Sequence, residues 1–231
     1  AGNLEDDLEQ LRSCDWIIEV VLEDITVKHN TYRKILPYCK TDAILSSNTS
    51  SIPLHDLISG LDTDVQSRFL ITHFFNPPRY MRLLELVTSA ATRPDIITAV
   101  TQFCDSRLGK GVVPCNDTPG FIANRIGAFW MEHALNTAID MKLTVEEADS
   151  LLSKPIGVPK TGVFGLIDLI GIDLIPRLAK SLLSRLPASD AYHATHREHA
   201  LINEMIAAGP TGRKGKGGFY RLDAKKKKEV I

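Results

Sequence analysis

Arg68-Phe69-Leu70-Ile71-Thr72-His73-Phe74-Phe75-Asn76-Pro77-Pro78, answered soon afterwards by Leu84-Glu85-Leu86-Val87, is the stretch on which the fold turns. Its opening run favours β structure and delivers a histidine to a strand end. Asn76, Pro77 and Pro78 reverse the chain. The second apolar run then brings back one carboxylate, Glu85, twelve positions after His73. A hairpin-like return of this kind can set a carboxylate behind an imidazole, fixing its tautomer and making it a better base. The same residues could instead be a buried histidine and an exposed glutamate that never meet.

Upstream, the text alternates between strand and helix patterns. Leu4, Leu8 and Leu11 recur at helical spacing among acids and suggest a short amphipathic helix. Asp15 to Leu22 is an almost unbroken β-favouring run, the pattern of a strand buried on both faces of a parallel sheet. Thr26 to Cys39 reads as a helix, Ala43 to Ser47 as a strand with the polar exit Asn48-Thr49-Ser50, and Pro53 to Leu61 as a short helix. With Arg68 to Phe75 as a third strand, the rhythm argues for a parallel α/β sheet. Such sheets present function at the carboxyl ends of their strands, where Glu23, Ser50 and His73 fall.

Downstream, Leu83 to Ser89 extends the sheet, Arg93 to Leu108 is a helix opened by Pro94, and Gly109 to Cys115 is a final strand. After Asp117-Thr118-Pro119-Gly120 the pattern becomes helical throughout: Phe121 to Met141, Thr144 to Ser153, Leu166 to Leu186 and Thr195 to Ala208. Thr144 and Glu147 spell a capping box. The boundary between the halves is expected near Asn116.

A chain of 231 residues can bury a real core as one large or two small domains. Its 44% hydrophobic and 24% charged residues are those of an ordinary globular protein, and a net charge of −1 gives no pull toward nucleic acid. Cys14, Cys39, Cys104 and Cys115 are scattered and read as reduced thiols of a cytoplasmic protein. No apolar run approaches the roughly 18–20 residues of a membrane helix. The sequons at Asn48 and Asn116 are read as coincidence, and the acidic opening is unlike a signal peptide.

Three segments in order, Ser46-Ser47-Asn48-Thr49-Ser50-Ser51, His73-Phe74-Phe75-Asn76-Pro77 and Pro119-Gly120-Phe121-Ile122-Ala123-Asn124-Arg125, resemble the signature of the 3-hydroxyacyl-CoA dehydrogenase family, NAD-dependent oxidoreductases of fatty-acid β-oxidation. The resemblance runs from about Gly2 to Tyr220. It implies His73 as the base for the substrate hydroxyl, Glu85 orienting it, and Ser50 and Asn124 polarising the substrate oxygen. Asn48, Asn76, Glu23 and Lys28 are assigned by the same resemblance to the nicotinamide end. No G-x-G-x-x-G follows a strand: Gly109-Lys110-Gly111 would need glycine at Pro114, and Gly215-Lys216-Gly217 at Tyr220. The resulting expectation is α/β: a partial Rossmann-like NAD-binding domain over 1–116 that starts midway through its nucleotide fold. An all-α substrate and dimerisation domain over 117–222 and a basic tail over 223–231 complete it. On this reading the chain alone is a fragment with an incomplete cofactor site, and in the large bacterial members further domains accompany it. The implied partners are an acyl-CoA and a second copy through the helical domain, with neither nucleic acid nor membrane.

Other constellations were weighed. His193, His196 and His199 could gather as metal ligands, but no fourth ligand is evident and solvated surface histidines are the expectation. The segment Gly209 to Tyr220 fails the phosphate-loop register and resembles the stretch that closes the family's helical domain. The rival reading is a non-catalytic piece whose helical half makes subunit contacts through Val163-Phe164-Gly165-Leu166-Ile167 and Leu169-Ile170-Gly171-Ile172. A related enzyme acting on another hydroxy substrate is a further alternative.

Overall fold

The computed structural model describes residues 2–158, 160–213, 217–222 and 228–230. They fall into two compact units, Ala1–Ile122 and Ala123–Ile231.

The first unit is a five-stranded sheet in the order β1 (Trp16–Glu19), β2 (Ile44–Ser47), β3 (Phe69–Phe74), β4 (Leu83–Val87), β5 (Gly111–Cys115). β1, β2 and β3 are parallel, β4 runs antiparallel to β3, and β5 parallel to β4. The reversal occurs at the Asn76-Pro77-Pro78 turn, whose Asn76–Pro77 bond is cis. Alternation along β3 splits the core. Phe69 and Ile71 join Tyr32, Leu54, Leu57 and Val87 beneath α1 (Ile25–Ile35) and α2 (Leu54–Ile58). On the other face Leu70, Leu84 and Leu86 meet Ile96, Val100 and Cys104 of α4 (Pro94–Leu108). Helix α3 (Thr63–Ser67) lies between α2 and β3 and has no apolar periodicity long enough to be read in the sequence.

Two N-terminal expectations need correction. The acidic opening forms a 3₁₀ segment over Leu8–Ser13 with no buried residue, preceded by a turn in which the Asn3 side chain accepts the Glu5 and Asp6 N–H groups. β1 ends at Glu19 and is not buried on both faces: Ile18 is 37% exposed, and Val20 and Leu22 beyond the strand are 69% and 72% exposed. The Glu19 carboxylate accepts the Val21 N–H at 2.6 Å and turns the chain there, and among the described residues β1 pairs only with β2. The first unit reaches past Asn116, since Asp117 caps the start of α2 through Leu54 and His55 and Phe121 packs into its core.

In the second unit α5 (Ala123–Asp140), α6 (Val145–Leu151), α7 (Gly162–Ile170), α8 (Leu174–Arg185), α9 (Ala191–Thr195) and α10 (Ala200–Ala208) enclose a core built on Leu135, Val163, Phe164, Ile167 and Ile172. The capping box of Thr144 and Glu147 is formed. The single helix expected over Leu166–Leu186 is two, broken where Gly171 takes φ 112°. The helix expected over Thr195–Ala208 is also two. Between them α5 supplies the backbone's partners: Asn136 donates to Thr195 O, and Glu132 accepts from Arg197 N. The unit is not purely α, because Tyr220–Leu222 (β6) pairs antiparallel with Lys228–Val230 (β7); three-residue strands rich in charge carry no readable alternation. The rest of the expected basic tail lies outside the described residues.

The histidine trio is not a solvated row, all three being half-buried. His193 meets Leu186 O, His199 meets Asn136 Oδ1, and His196 Nδ1 lies 3.2 Å from Glu132 Oε1 at an angle too poor for a hydrogen bond. The glycine-rich closing segment is a clasp on Asp168, whose carboxylate accepts from Phe219 N and Tyr220 N while its carbonyl accepts from Arg213 N. Among the described residues no helix is long and apolar enough to cross a membrane, and the four cysteines are free.

Candidate active site

β3 and β4 place His73 directly opposite Glu85 in antiparallel register, on the same sheet face as Ile71 and Val87. Facing residues of such a pair have Cβ atoms about 5 Å apart, close enough for an imidazole to reach a carboxylate. Here Nδ1 of His73 lies 2.7 Å from Oε2 of Glu85, with His73 6% exposed and Glu85 fully buried. A buried carboxylate is held as a charge only when its oxygens are satisfied. The other oxygen, Oε1, accepts the Ile122 N–H at 3.0 Å. With the carboxylate accepting at Nδ1, the proton sits on Nδ1 and the lone pair on Nε2. Among the described residues Nε2 has no hydrogen-bond partner.

The ring is walled by aromatics: Phe75 at 4.5 Å and Phe121 at 5.8 Å between centroids. Phe121 sits at φ 47°, after Gly120 at 73°. That left-handed backbone is uncommon for a bulky residue and strained. It puts the phenyl ring over His73 and the next N–H on Glu85. The motif Pro119-Gly120-Phe121 was visible in the sequence, but the use of its backbone as a carboxylate clamp was not.

At the carboxyl ends of β1 and β2 a second polar cluster forms. Asn48 ties β2 to β3, its Oδ1 accepting the Phe74 N–H at 2.9 Å, so its carbonyl oxygen serves the histidine's strand. Glu23 Oε1 accepts from Thr49 Oγ1, Ser50 N, Ser51 N and Ser51 Oγ. Burial pushes the Glu23 carboxyl up, but the Thr49 hydroxyl, the Lys28 charge and the Ser51 and Ser50 donors outweigh it and hold it below the usual carboxylate range. Ser50 is not the N-cap of α2, a place taken by Pro53. Its hydroxyl has no hydrogen-bond partner among the described residues. Lys28, expected at the nicotinamide end, is 1% exposed and spends its ammonium on Glu19 and Glu23; as placed, its reach outward is through Glu23. Asn76 is exposed in the turn after β3. Asn124 lies in the second unit, half-buried in the first turn of α5.

Glu19 and Lys110 are among the buried charges the sequence does not announce. Glu19 was readable as a lone acid inside an apolar strand run. Lys110, buried beside the Phe74 ring, donates to Pro78 O and Met81 O and pins the loop after the histidine.

Residues 1–118 match the model of the 3-hydroxyacyl-CoA dehydrogenase NAD-binding domain, and residues 120–222 that of its C-terminal domain. A Rickettsia felis protein bearing the name of a fatty acid oxidation complex trifunctional enzyme is 50% identical over all of this chain, which covers 32% of it. A Deinococcus radiodurans protein named for 3-hydroxyacyl-CoA dehydrogenase is 39% identical over 95% of this chain and 62% of its own length. The chain thus spans about a third to two-thirds of these curated relatives. Among solved structures, FadB2 of M. tuberculosis superposes with a TM-score of 0.82 at 30% identity, covering 94% of this chain and 74% of that one. The (S)-3-hydroxybutyryl-CoA dehydrogenase PaaH1 of Ralstonia eutropha gives 0.78 at 29% identity, covering 90% and 70%. With one family model matching residues 1–118 and the other residues 120–222, the chain belongs to the 3-hydroxyacyl-CoA dehydrogenase family.

Proposed function

We propose that this chain carries catalytic residues of an NAD-dependent (S)-3-hydroxyacyl-CoA dehydrogenase, in which hydride leaves C3 of a 3-hydroxyacyl-CoA for NAD and the 3-ketoacyl-CoA is formed. The buried contact between His73 and Glu85 is the observation that carries this reading. Nε2 of His73 takes the hydroxyl proton as the C–O bond becomes C=O, while Glu85 holds the tautomer that leaves Nε2 basic and offsets the charge the ring acquires. Ser50 and Asn124 are assigned to the substrate oxygen, where donors that strengthen as negative charge develops lower the barrier. Bound NAD supplies the hydride acceptor at its nicotinamide ring. The exposed Asn76 amide fits the polar end of such a cofactor, past the carboxyl end of β3, where this architecture takes ligands. Asn48 and Glu23 serve the same end by fixing the strand exits.

The helical unit is assigned to substrate and subunit contacts. The runs first suggested for that interface, Val163–Ile167 and Leu169–Ile172, are largely spent in the unit's own core, where Val163, Ile167 and Ile172 are fully buried. Exposed apolar side chains remain for it, among them Ile126 and Phe129 of α5 and Leu169 of the second run.

The test is turnover of (S)-3-hydroxybutyryl-CoA with NAD by the full-length protein, followed by NADH formation. His73→Gln is expected to lower kcat by roughly 10²–10⁴-fold with little change in NAD affinity. A variant that retains near-normal turnover removes the assignment.

A further inference from the structure

Beneath the Ser50 loop lies a chain of charges that the proposed chemistry does not itself use. Glu19, at the end of β1 and 5% exposed, receives five hydrogen bonds from four donors on its carboxylate: Lys28 Nζ at 2.9 and 3.1 Å, Tyr32 OH at 2.9 Å, Ser47 Oγ at 2.7 Å and Val21 N at 2.6 Å. Its carbonyl oxygen accepts the Asn48 N–H at 2.9 Å. Lys28 in turn reaches Glu23 Oε2 at 3.2 Å. The other oxygen of Glu23 sits in the concavity formed by the successive N–H groups of Ser50 and Ser51.

We propose that Glu19 is a positioning residue for the Ser50 loop, acting through Lys28 and Glu23. The role rests on Ser50 as a donor to the substrate oxygen. Glu19 is held by so many donors that it has no freedom to move, and it fixes the Lys28 ammonium. The ammonium pins one oxygen of Glu23, which leaves the other aimed at the loop backbone. Ser50 therefore has an anchored backbone and an uncommitted hydroxyl, the combination a preorganised donor needs. A buried ion pair adds little net stability over an apolar pair of the same shape. Its physical effect here is geometric: an apolar pair would fill the space and leave Glu23 untethered.

That difference supplies the experiment. The parent sequence is compared with Glu19→Gln and with Glu19→Gln/Lys28→Met, reading melting temperature and hydrogen exchange of the Ser50 and Ser51 amides by NMR on the chain, and kcat against KM on the full-length protein. The single substitution, which leaves a buried ammonium short of charge, is expected to lower stability. It should also speed exchange at both amides by about tenfold or more. The double substitution is expected to recover stability but not amide protection, with kcat reduced about tenfold. Amide protection that returns with stability in the double variant, or that never falls in the single one, overturns the proposal. Lost protection with an unchanged kcat keeps Glu19 as the loop's anchor and instead refutes Ser50 as an oxygen-side donor.

Discussion

His73 and Glu85 are cross-strand neighbours on one face of an antiparallel pair, their side chains joined at 2.7 Å. A strand pair is stiffer than a loop, so the imidazole's orientation is set by sheet register. Glu85 is anchored a second time by the Ile122 N–H. Replacing Glu85 by Gln should therefore do more than weaken a base. The amide can donate to Nδ1, which favours the tautomer with its proton on Nε2 and removes the acceptor. Turnover of Glu85→Gln is expected to fall by roughly 10²–10⁴-fold, nearly as far as His73→Gln. A loss of only a few-fold would show that tautomer control is not what Glu85 contributes.

Phe121 joins packing to backbone geometry. Its ring is 4% exposed in the first unit's core, and its backbone at φ 47° aims the Ile122 N–H at Glu85. Phe121→Ala removes the ring without relieving the backbone, and denaturant unfolding should show a loss of about 3–5 kcal/mol. Phe121→Gly relieves the strain but frees the turn, so the Ile122 amide should lose its exchange protection. An alanine variant as stable as the parent would contradict this packing.

Glu23 makes the Ser50 loop acid-sensitive. Its folded carboxyl lies below the ordinary range despite burial, chiefly because of the Thr49 hydroxyl and the Lys28 charge. A depressed carboxyl contributes order that is fully present above its unfolded pKa and is lost as pH falls through the folded value. Protection of the Ser50 and Ser51 amides should thus be constant at neutral pH and fall only below the usual carboxylate range. In Glu23→Gln it should be low and independent of pH there. Loss of protection on raising the pH from neutral would reverse the sign and refute this.

The clasp on Asp168 accounts for the glycine-rich closing segment. A Cβ at Gly218 would lie 2.0 Å from Asp168 Oδ1, and Asp168 itself is 2% exposed. Asp168→Ala leaves the Phe219 and Tyr220 amides without their acceptor and should cost roughly 2–4 kcal/mol by chemical denaturation. Gly218→Ala is expected to cost about 1–3 kcal/mol through the clash. If both variants melt like the parent, the clasp does not hold the segment.

What was legible depended on whether a residue's role is local. The strands and long helices of the first unit follow from runs of apolar residues, and the return of Glu85 to His73 from one turn and one count of residues. Thr144 and Glu147 announced their capping box because all its parts lie within four residues. The helix breaks at Gly171 and around His196–His199 depend on the distant α5 side chains Glu132 and Asn136, which no window of sequence brings near. The burial of Lys28 was hidden for the same reason. The resemblance put it at the nicotinamide end, whereas the acid that draws it inward, Glu19, lies on the preceding strand. Val20 and Leu22 looked like strand interior because composition cannot show that Glu19 ends the strand by capping Val21.

The most direct measurement is ¹⁵N NMR of the His73 imidazole at neutral pH, in the parent chain and in Glu85→Gln. The parent should show a protonated Nδ1 with a strongly deshielded proton, shared with Glu85, and an unprotonated Nε2; the Glu85→Gln spectrum should shift to the other tautomer. A parent ring whose proton resides on Nε2, or whose two nitrogens are unaffected by the substitution, would contradict the account of His73 as a carboxylate-oriented base.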